Sequence, residues 1–423
     1  MKRLITLSLL YCPILLSAQG YQLQVQGQKQ QAMGNAGTGL VQDGAAIFYN
    51  PGGVSFLKEN SVSAGGNAAI VKSVFLDSIT NTTKNSQIPV GTPITFYAVY
   101  GADSTKSKTL QNLKFGLGIY TPFGGSAKWP ADFAGRFVIR SLDLKIINIQ
   151  PTVSYKISDK IGVGAGLMIS TGTIDFTKDV FLTNNTVGNY ASAEVKGKLM
   201  GYGVNAGIYV KPIEGLSIGL TYRSQINMKS SGGTATFTNI PTQLRDSVVI
   251  GSGSTTGPIK TGATIPFPTP TVITLGIGYK LTDKFALALD INYLGFKIMD
   301  TLRTNFENRA SGLKNVADVR GFKNVFTYHL GGQYMVTEAL AVRLGVQYIL
   351  TPIPNGYTTP EGADADHFAF SGGLGYKINK HFTVDASYAF QSIKRQDDNH
   401  LYNIIGTYKT YASIAGLSLA YHF

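Results

Sequence analysis

Ile147-Asn148-Ile149-Gln150-Pro151-Thr152-Val153-Ser154-Tyr155-Lys156-Ile157-Ser158-Asp159-Lys160 decides how the rest of the chain is read. Successive side chains of an extended strand point to opposite faces, so Ile147, Ile149, Val153 and Tyr155 share one face and Asn148, Gln150, Thr152 and Ser154 the other. A short polar turn follows. The unit of Tyr, turn and fresh alternating strand recurs at Tyr279-Lys280-Leu281-Thr282-Asp283-Lys284 and Tyr376-Lys377-Ile378-Asn379-Lys380-His381. Looser versions are Tyr209-Val210-Lys211-Pro212 and Tyr334-Met335-Val336-Thr337-Glu338. After two of these turns, Leu216, Ile218, Leu220 and Tyr222 oppose Ser217, Thr221, Arg223 and Gln225, while Leu340, Val342, Leu344, Val346 and Tyr348 oppose Arg343 and Gln347. Strands with one apolar and one polar face, ending in Tyr at a tight turn, suit a wall between lipid and a polar interior.

Composition points the same way. A chain of 423 residues could hold two or three soluble domains or one large barrel, but only 14% of residues are charged, against about 25% in ordinary soluble domains. Gly (49), Tyr (23) and Phe (22) are abundant. Mean hydropathy is only +0.06, and beyond the N-terminus there is no apolar run of the roughly 18 residues a membrane helix needs. The expected fold is all-β, a transmembrane antiparallel barrel. The turns supply ten strands, and segments near 61–71, 92–101, 112–120 and 409–423 raise the number to about fourteen, with a sixth turn near 102–111. An even number places both barrel ends on one rim. Long connections near 72–91, 121–143, 177–199, 227–270, 297–323, 351–365 and 391–408 are expected as extracellular loops. Tyr411, Leu417, Leu419, Tyr421 and Phe423 share one face of the last strand, and Tyr421 and Phe423 form the expected signal for barrel-assembly machinery.

Residues 1–18 read as a signal peptide: Lys2 and Arg3, the apolar stretch Leu4 to Leu16, then Ser17-Ala18. The single cysteine, Cys12, lies inside it, which suits an oxidising compartment. The signal alone indicates export, and with the strands it indicates the outer membrane of a Gram-negative bacterium. The net charge is +13, with no compact basic-aromatic cluster of the kind nucleic acid requires. Contact with outer-membrane lipids such as lipopolysaccharide, attraction of anionic ligands, and simple solvation of turns all account for the charge. The five His include one acidic neighbourhood, Asp364-Ala365-Asp366-His367, which reads as a solvated loop. With no metal-ligand spacing or phosphate-binding glycine loop, neither an enzyme nor a cofactor is expected.

Residues 19–58 break the alternation. They are rich in Gln, Gly, Ala and Asn and contain Met33-Gly34-Asn35-Ala36-Gly37-Thr38-Gly39 and Asn50-Pro51-Gly52-Gly53-Val54. They form either a disordered tail or a plug inside a lumen wide enough to leak, with the barrel proper at 59–423.

Gly34-Asn35-Ala36-Gly37 leading to Asn50-Pro51-Gly52-Gly53 resembles the N-terminal hatch of the FadL-type family, outer-membrane transporters of long-chain fatty acids and aromatic hydrocarbons. Tyr120-Thr121-Pro122-Phe123-Gly124, Trp129-Pro130-Ala131-Asp132-Phe133-Ala134-Gly135-Arg136, Leu220-Thr221-Tyr222-Arg223-Ser224 and Gly321-Phe322-Lys323-Asn324 continue the likeness in order. The resemblance implies a monomeric barrel of fourteen strands with a hatch, passive uptake of a hydrophobic small molecule, and lateral exit where the third strand kinks inward. Its gating residues would be Asn50, Pro51 and Gly52; the family usually has Ala at the third place, so Gly52 is expected to loosen the hatch against the wall. The lateral gate would be Thr121, Pro122, Phe123, Gly124 and Gly125, a stretch that also reads as the start of an extracellular loop. Arg136, Arg223, Lys323 and Arg343 are candidates to hold a ligand carboxylate, or to pair with acids such as Asp43. Long-chain fatty acid is the expected ligand, with aromatic hydrocarbon uptake or a general diffusion porin as alternatives.

Overall fold

A computed structural model describes residues 21–101, 108–181, 190–253, 256–310, 313–399 and 401–423; the expected signal peptide, 1–18, lies outside them. The wall has fourteen strands. They are β1 (Ser61–Asp77), β2 (Ile94–Gly101), β3 (Leu113–Lys128), β4 (Ser141–Ser158), β5 (Ile161–Val180), β6 (Ala191–Val210) and β7 (Leu216–Arg223, continuing as Ile226–Thr238). β8 runs in three pieces (Ile259–Thr264, Phe267–Thr269 and Val272–Lys280), followed by β9 (Phe285–Leu294), β10 (Val325–Met335), β11 (Leu340–Ile349), β12 (His367–Lys377), β13 (Phe382–Asn399) and β14 (Ile404–His422). Each pairs antiparallel with its sequence neighbour, and β14 closes on β1 from Ser61↔His422 to Asp77↔Gly406. Closure removes the free edges that lipid cannot hydrogen-bond. Tight turns at 159–160, 211–215, 281–284, 336–339 and 378–381 lie on the rim that carries both ends of the barrel. The sixth turn includes 102–107, outside the described residues.

The strands run further than expected. Strands reach into the loops foreseen at 121–143, 177–199 and 391–408: they run to Lys128, Val180 and Asn399 on one side and from Ser141, Ala191 and Ile404 on the other. The reason is visible on β4. Asn148, Gln150, Thr152 and Ser154 are buried in the lumen, with Ile149 and Val153 exposed outside. Past Ile147 the chemistry inverts while the geometry continues: Leu142, Leu144 and Ile146 are buried inside, and Asp143 and Lys145 face out. From Lys145 upward the outer face of β4 carries charges that meet water, while its inner face is apolar.

The N-terminal segment occupies the lower lumen as α1 (Gln28–Ala32), α2 (Ala46–Tyr49) and a 3-10 helix (Pro51–Phe56). These pieces are too short to stand alone, and the wall holds them on all sides. Tyr97 of β2 donates to the Gln26 carbonyl at 2.7 Å, and Ser55 N donates to Ser154 of β4 at 3.0 Å. Gly37 N and Thr38 N donate to Asp290 of β9 at 3.0 and 2.9 Å, and Gly34 N to Ser371 of β12 at 3.0 Å. Gln31 reaches the Ile414 carbonyl of β14 at 3.4 Å.

Such close approach requires a wall without side chains at the contact points. A Cβ on Gly164 would meet the Pro51 carbonyl, and one on Gly345 would meet Gly34 N. A strand glycine commonly marks a site where another backbone comes near. We predict that Gly164→Leu drives the hatch off β5 while the barrel still closes. Loss of about 1–3 kcal/mol in denaturant titration, the usual cost of overpacking, is the expected outcome.

Candidate functional site

The lumen has two storeys. In the upper one, Leu142, Leu144 and Ile146 of β4 join Ala193, Val195 and Leu199 of β6, and Ile226, Met228 and Phe237 of β7, in one buried apolar cluster. Loops cap and fill it: Trp129 and Phe133 stack at 4.3 Å, and Phe296, Met299, Phe322 and Ile353 pack with them. Trp129 Nε1 donates to the Pro360 carbonyl at 3.3 Å. Buried Arg320, paired with Asp318 and Glu361, donates to Thr359 at 2.6 Å and ties two of these loops together.

The lower storey is polar and carries the hatch. Between the two lies a cleft with about 20 Å³ of free space, enough for one water, lined by Gln22, Gln26, Asn35, Arg223, Asp290 and His329 among others. Each of these six has a buried polar atom without a hydrogen-bond partner among the described residues: Gln22 Oε1, Gln26 Oε1, Asn35 Nδ2, Arg223 Nη1, Asp290 Oδ1 and His329 Nδ1. An unmet buried group costs about 1–3 kcal/mol, so this concentration suits a polar head or water. The Arg223 guanidinium lies 3.9 Å from the Phe48 ring centroid, while apolar Leu23, Val272 and Leu294 line the same cleft.

Asn50 anchors the hatch. Its Nδ2 donates to the carbonyls of Thr38 (3.0 Å) and Ile208 (3.1 Å), and its Oδ1 accepts from Gly52 N at 3.0 Å. Gly52 does not loosen this contact as expected. A Cβ there would meet the Gly207 carbonyl at 2.6 Å and the Gly162 carbonyl at 2.9 Å, so the glycine allows a closer fit than Ala could. On the turn side of the hatch opens a vestibule of about 1030 Å³ lined by Lys29, Asp43, Lys58, Lys211 and Arg343 among others.

The third strand does kink. Pairing of β3 with β4 slips between Tyr120 and Phe123, leaving Thr121 and Pro122 without ladder partners on that side. Pairing with β2 ends at Thr95↔Tyr120, and Ile94 N donates to Thr121 Oγ1 at 3.3 Å. The next crossing bond is Gln87 N to the Lys128 carbonyl at 2.7 Å; among the described residues no backbone bond crosses between them. The edge of β3 turns inward to the hatch instead. Leu23 N donates to the Pro122 carbonyl and Gly124 N to the Tyr21 carbonyl, each at 2.9 Å, and Gln26 donates to the Thr121 carbonyl at 2.7 Å. The stretch is therefore not the start of a loop, since β3 continues against β4 to Lys128.

Of the four candidate cations Arg223 lines the cleft, and among the described residues no acid lies in ion-pair range of it. Arg343 is committed to Asp385 at 2.7 Å and donates to Gln333 at 2.7 Å, on the vestibule side. Asp43 accepts from Gln30 and pairs with Lys29. Arg136 sits in a loop between the rings of Phe137 and Tyr190, each at 4.8 Å, and 3.9 Å from Asp179. Lys323 is exposed in another loop. Asp364 and His367 are buried rather than solvated: Thr351 Oγ1 donates to Asp364 at 2.7 Å, and His367 meets Gln391 at 3.3 Å. Burial pushes the Asp364 carboxyl well above the usual carboxylate range. Tyr421 and Phe423 stack at 5.8 Å on the turn-side rim. Sequence reading missed Asp290 and His329, lumen-side titratable groups on strands whose inner faces also carry the neutral polar Asn292 and Thr327.

A family model described as outer membrane protein transport protein (OMPP1/FadL/TodX) matches residues 12–423. The chain is 24% identical to the 47 kDa outer membrane protein of Pasteurella multocida, over 96% of this chain and 95% of that protein. It is 22% identical to the long-chain fatty acid transport protein of Escherichia coli K12, over 89% of each. Among solved structures, a Pseudomonas aeruginosa FadL homologue superposes with a TM-score of 0.79 at 18% identity, covering 96% of this chain and 100% of that one. The Pseudomonas putida toluene transporter TodX gives 0.72 at 15% identity, covering 94% and 98%.

The different settings of Arg343 and Arg223 separate in experiment. Arg343→Ala leaves Asp385 with the longer ion pair to Lys29 at 3.8 Å, and thermal and denaturant unfolding should show a loss of about 1–3 kcal/mol. Arg223→Gln removes a cation that has no ion-pair partner among the described residues and should leave the unfolding curve within about 1 kcal/mol of native.

Proposed function

The chain belongs to the outer membrane protein transport family (OMPP1/FadL/TodX), whose members are outer-membrane channels for hydrophobic substrates, and from that premise we propose that it takes up long-chain fatty acids passively, gated by the hatch and released sideways at the kink of β3. The observation that carries this reading is the position of Arg223. It lines the small cleft beneath the buried apolar cluster of the upper lumen, with a guanidinium nitrogen lacking a partner among the described residues. A fatty acid has matching parts, an alkyl chain gaining about 0.8 kcal/mol per buried CH₂ and a carboxylate that an Arg holds by charge-assisted bonds.

Residues 21–26 link recognition to release. Gln22, Leu23 and Gln26 line the Arg223 cleft, while Tyr21, Leu23 and Gln26 bond to the kink. A head group settling on Arg223 competes with these residues for space, and their retreat frees the edge of β3. Outward release needs no energy source, because the ligand passes from one apolar environment into another and avoids water.

Uptake of a labelled long-chain fatty acid by cells lacking their own transporter tests the proposal. The native chain should confer uptake, and Asn50→Ala with Pro51→Ala should reduce it several-fold with normal membrane insertion. Gly124→Val with Gly125→Val, which stiffens the kink, should do the same. Arg223→Gln should weaken fatty acid binding at least tenfold and leave toluene binding unchanged. No fatty acid uptake, with toluene entering instead, would transfer the function to monoaromatic hydrocarbons.

A further inference from the structure

The outer wall where the barrel closes carries a cluster of cations without counter-charges. On β14, Tyr421, Leu419, Leu417 and Tyr411 face lipid. At about 3.4 Å per residue and a tilt of roughly 40°, the run from Tyr421 up to Tyr411 rises about 25 Å, the height of the apolar band of outer-membrane barrels. Tyr411 therefore marks the upper lipid interface, and the next outward residue, Lys409, stands in the headgroup layer. On β13, Lys394 follows Tyr388, Phe390 and Ser392; on β1, Lys72 follows Ile70.

Register brings the three lysines together. Lys394 lies directly opposite Lys409, Lys409 opposite Val74, and Lys72 opposite Tyr411. Directly opposed residues have Cβ atoms about 4.5–5.5 Å apart and diagonal ones about 7–8 Å, so the ammonium groups can converge on one anion above the Tyr411 ring. All three are exposed, and none has an ion-pair or hydrogen-bond partner among the described residues. Like charges directly opposed destabilise a sheet unless something neutralises them. The far side of the barrel at this level differs: Lys145 pairs with Asp143 at 2.7 Å, and Lys196 with Asp175 at 3.3 Å and Glu194 at 2.7 Å. On the β13–β14–β1 face the nearest outward acid along β13 is Asp398, four residues above Lys394.

We propose that Lys72, Lys394 and Lys409 form a binding site for the phosphate of an outer-leaflet glycolipid, with its acyl chains lying on Ile70, Phe390 and Leu417. Lysine suits this role as a compact point charge, and three of them around one phosphate give charge-assisted bonds that a lone surface lysine does not. The site is separate from the transport path, since its side chains point away from the lumen. It takes a lipid phosphate rather than a free one because the apolar band directly below binds the attached chains.

The test uses the purified full chain in non-ionic detergent, with native mass spectrometry reading binding of bis-phosphorylated lipid A. Saturable binding is expected, weakened at least tenfold in Lys72→Gln/Lys394→Gln/Lys409→Gln and unchanged in Lys145→Gln. Heat-modified electrophoretic mobility checks that both variants are folded. Equal lipid A binding by the triple variant and the native chain would overturn the site. Equal binding of dephosphorylated lipid A would show that the phosphate is not what is recognised. Displacement by a few millimolar inorganic phosphate would reassign the cluster to free anions and remove the lipid from the proposal.

Discussion

A strand inside a membrane wall cannot leave its backbone edge unpaired, and β3 meets that requirement in an unusual way. From Thr121 to Gly124 its partners are not β2 but residues 21–26 of the chain's own N-terminal segment. Pro122 has no N–H to offer a ladder, so the slip in register falls where the loss is smallest. The wall is complete only while the hatch is in place. The hatch is in turn held by Asn50 and by glycine-lined strands on the opposite side. Seal, wall and cleft are one bonded system.

The change of sidedness along the strands gives that system its two environments. At Ile146 and Asn148 of β4 the lumen passes from apolar to polar within two residues. The same change occurs on β6 between Leu199 and Asn205. Below the line, the interior offers hydrogen bonds to a hatch built mostly of backbone and small side chains. Above it, aromatic loop residues close over aliphatic strands. Arg223 lies at the junction of the two environments.

Much of this was legible in the residues. Alternation between Ile147 and Tyr155 set the strand period, and Tyr-turn units set the number of strands. The strand ends are not legible from lipid-facing alternation, because in the upper barrel the apolar face turns inward at Leu142, Leu144 and Ile146. Lumen direction identified Arg223 and Arg343 alike. Sequence could not show that Asp385, more than forty residues away in the chain, would claim the second and leave the first unpaired. Gly52 was misjudged for a similar reason: its close fit depends on Gly162 and Gly207, which only the fold brings beside it.

The interlocking of hatch and wall through glycines also bears on how such a protein can change over time. Its seal rests on absent side chains and on backbone hydrogen bonds, which are indifferent to most substitutions elsewhere. Its upper apolar cluster rests on Met168, Met228, Phe237 and the loop aromatics, which can be exchanged for other apolar residues without touching the hatch contacts. On the proposed function, a lineage could thus retune the apolar packing while inheriting the hatch contacts, with Arg223 and residues 21–26 shared between the two.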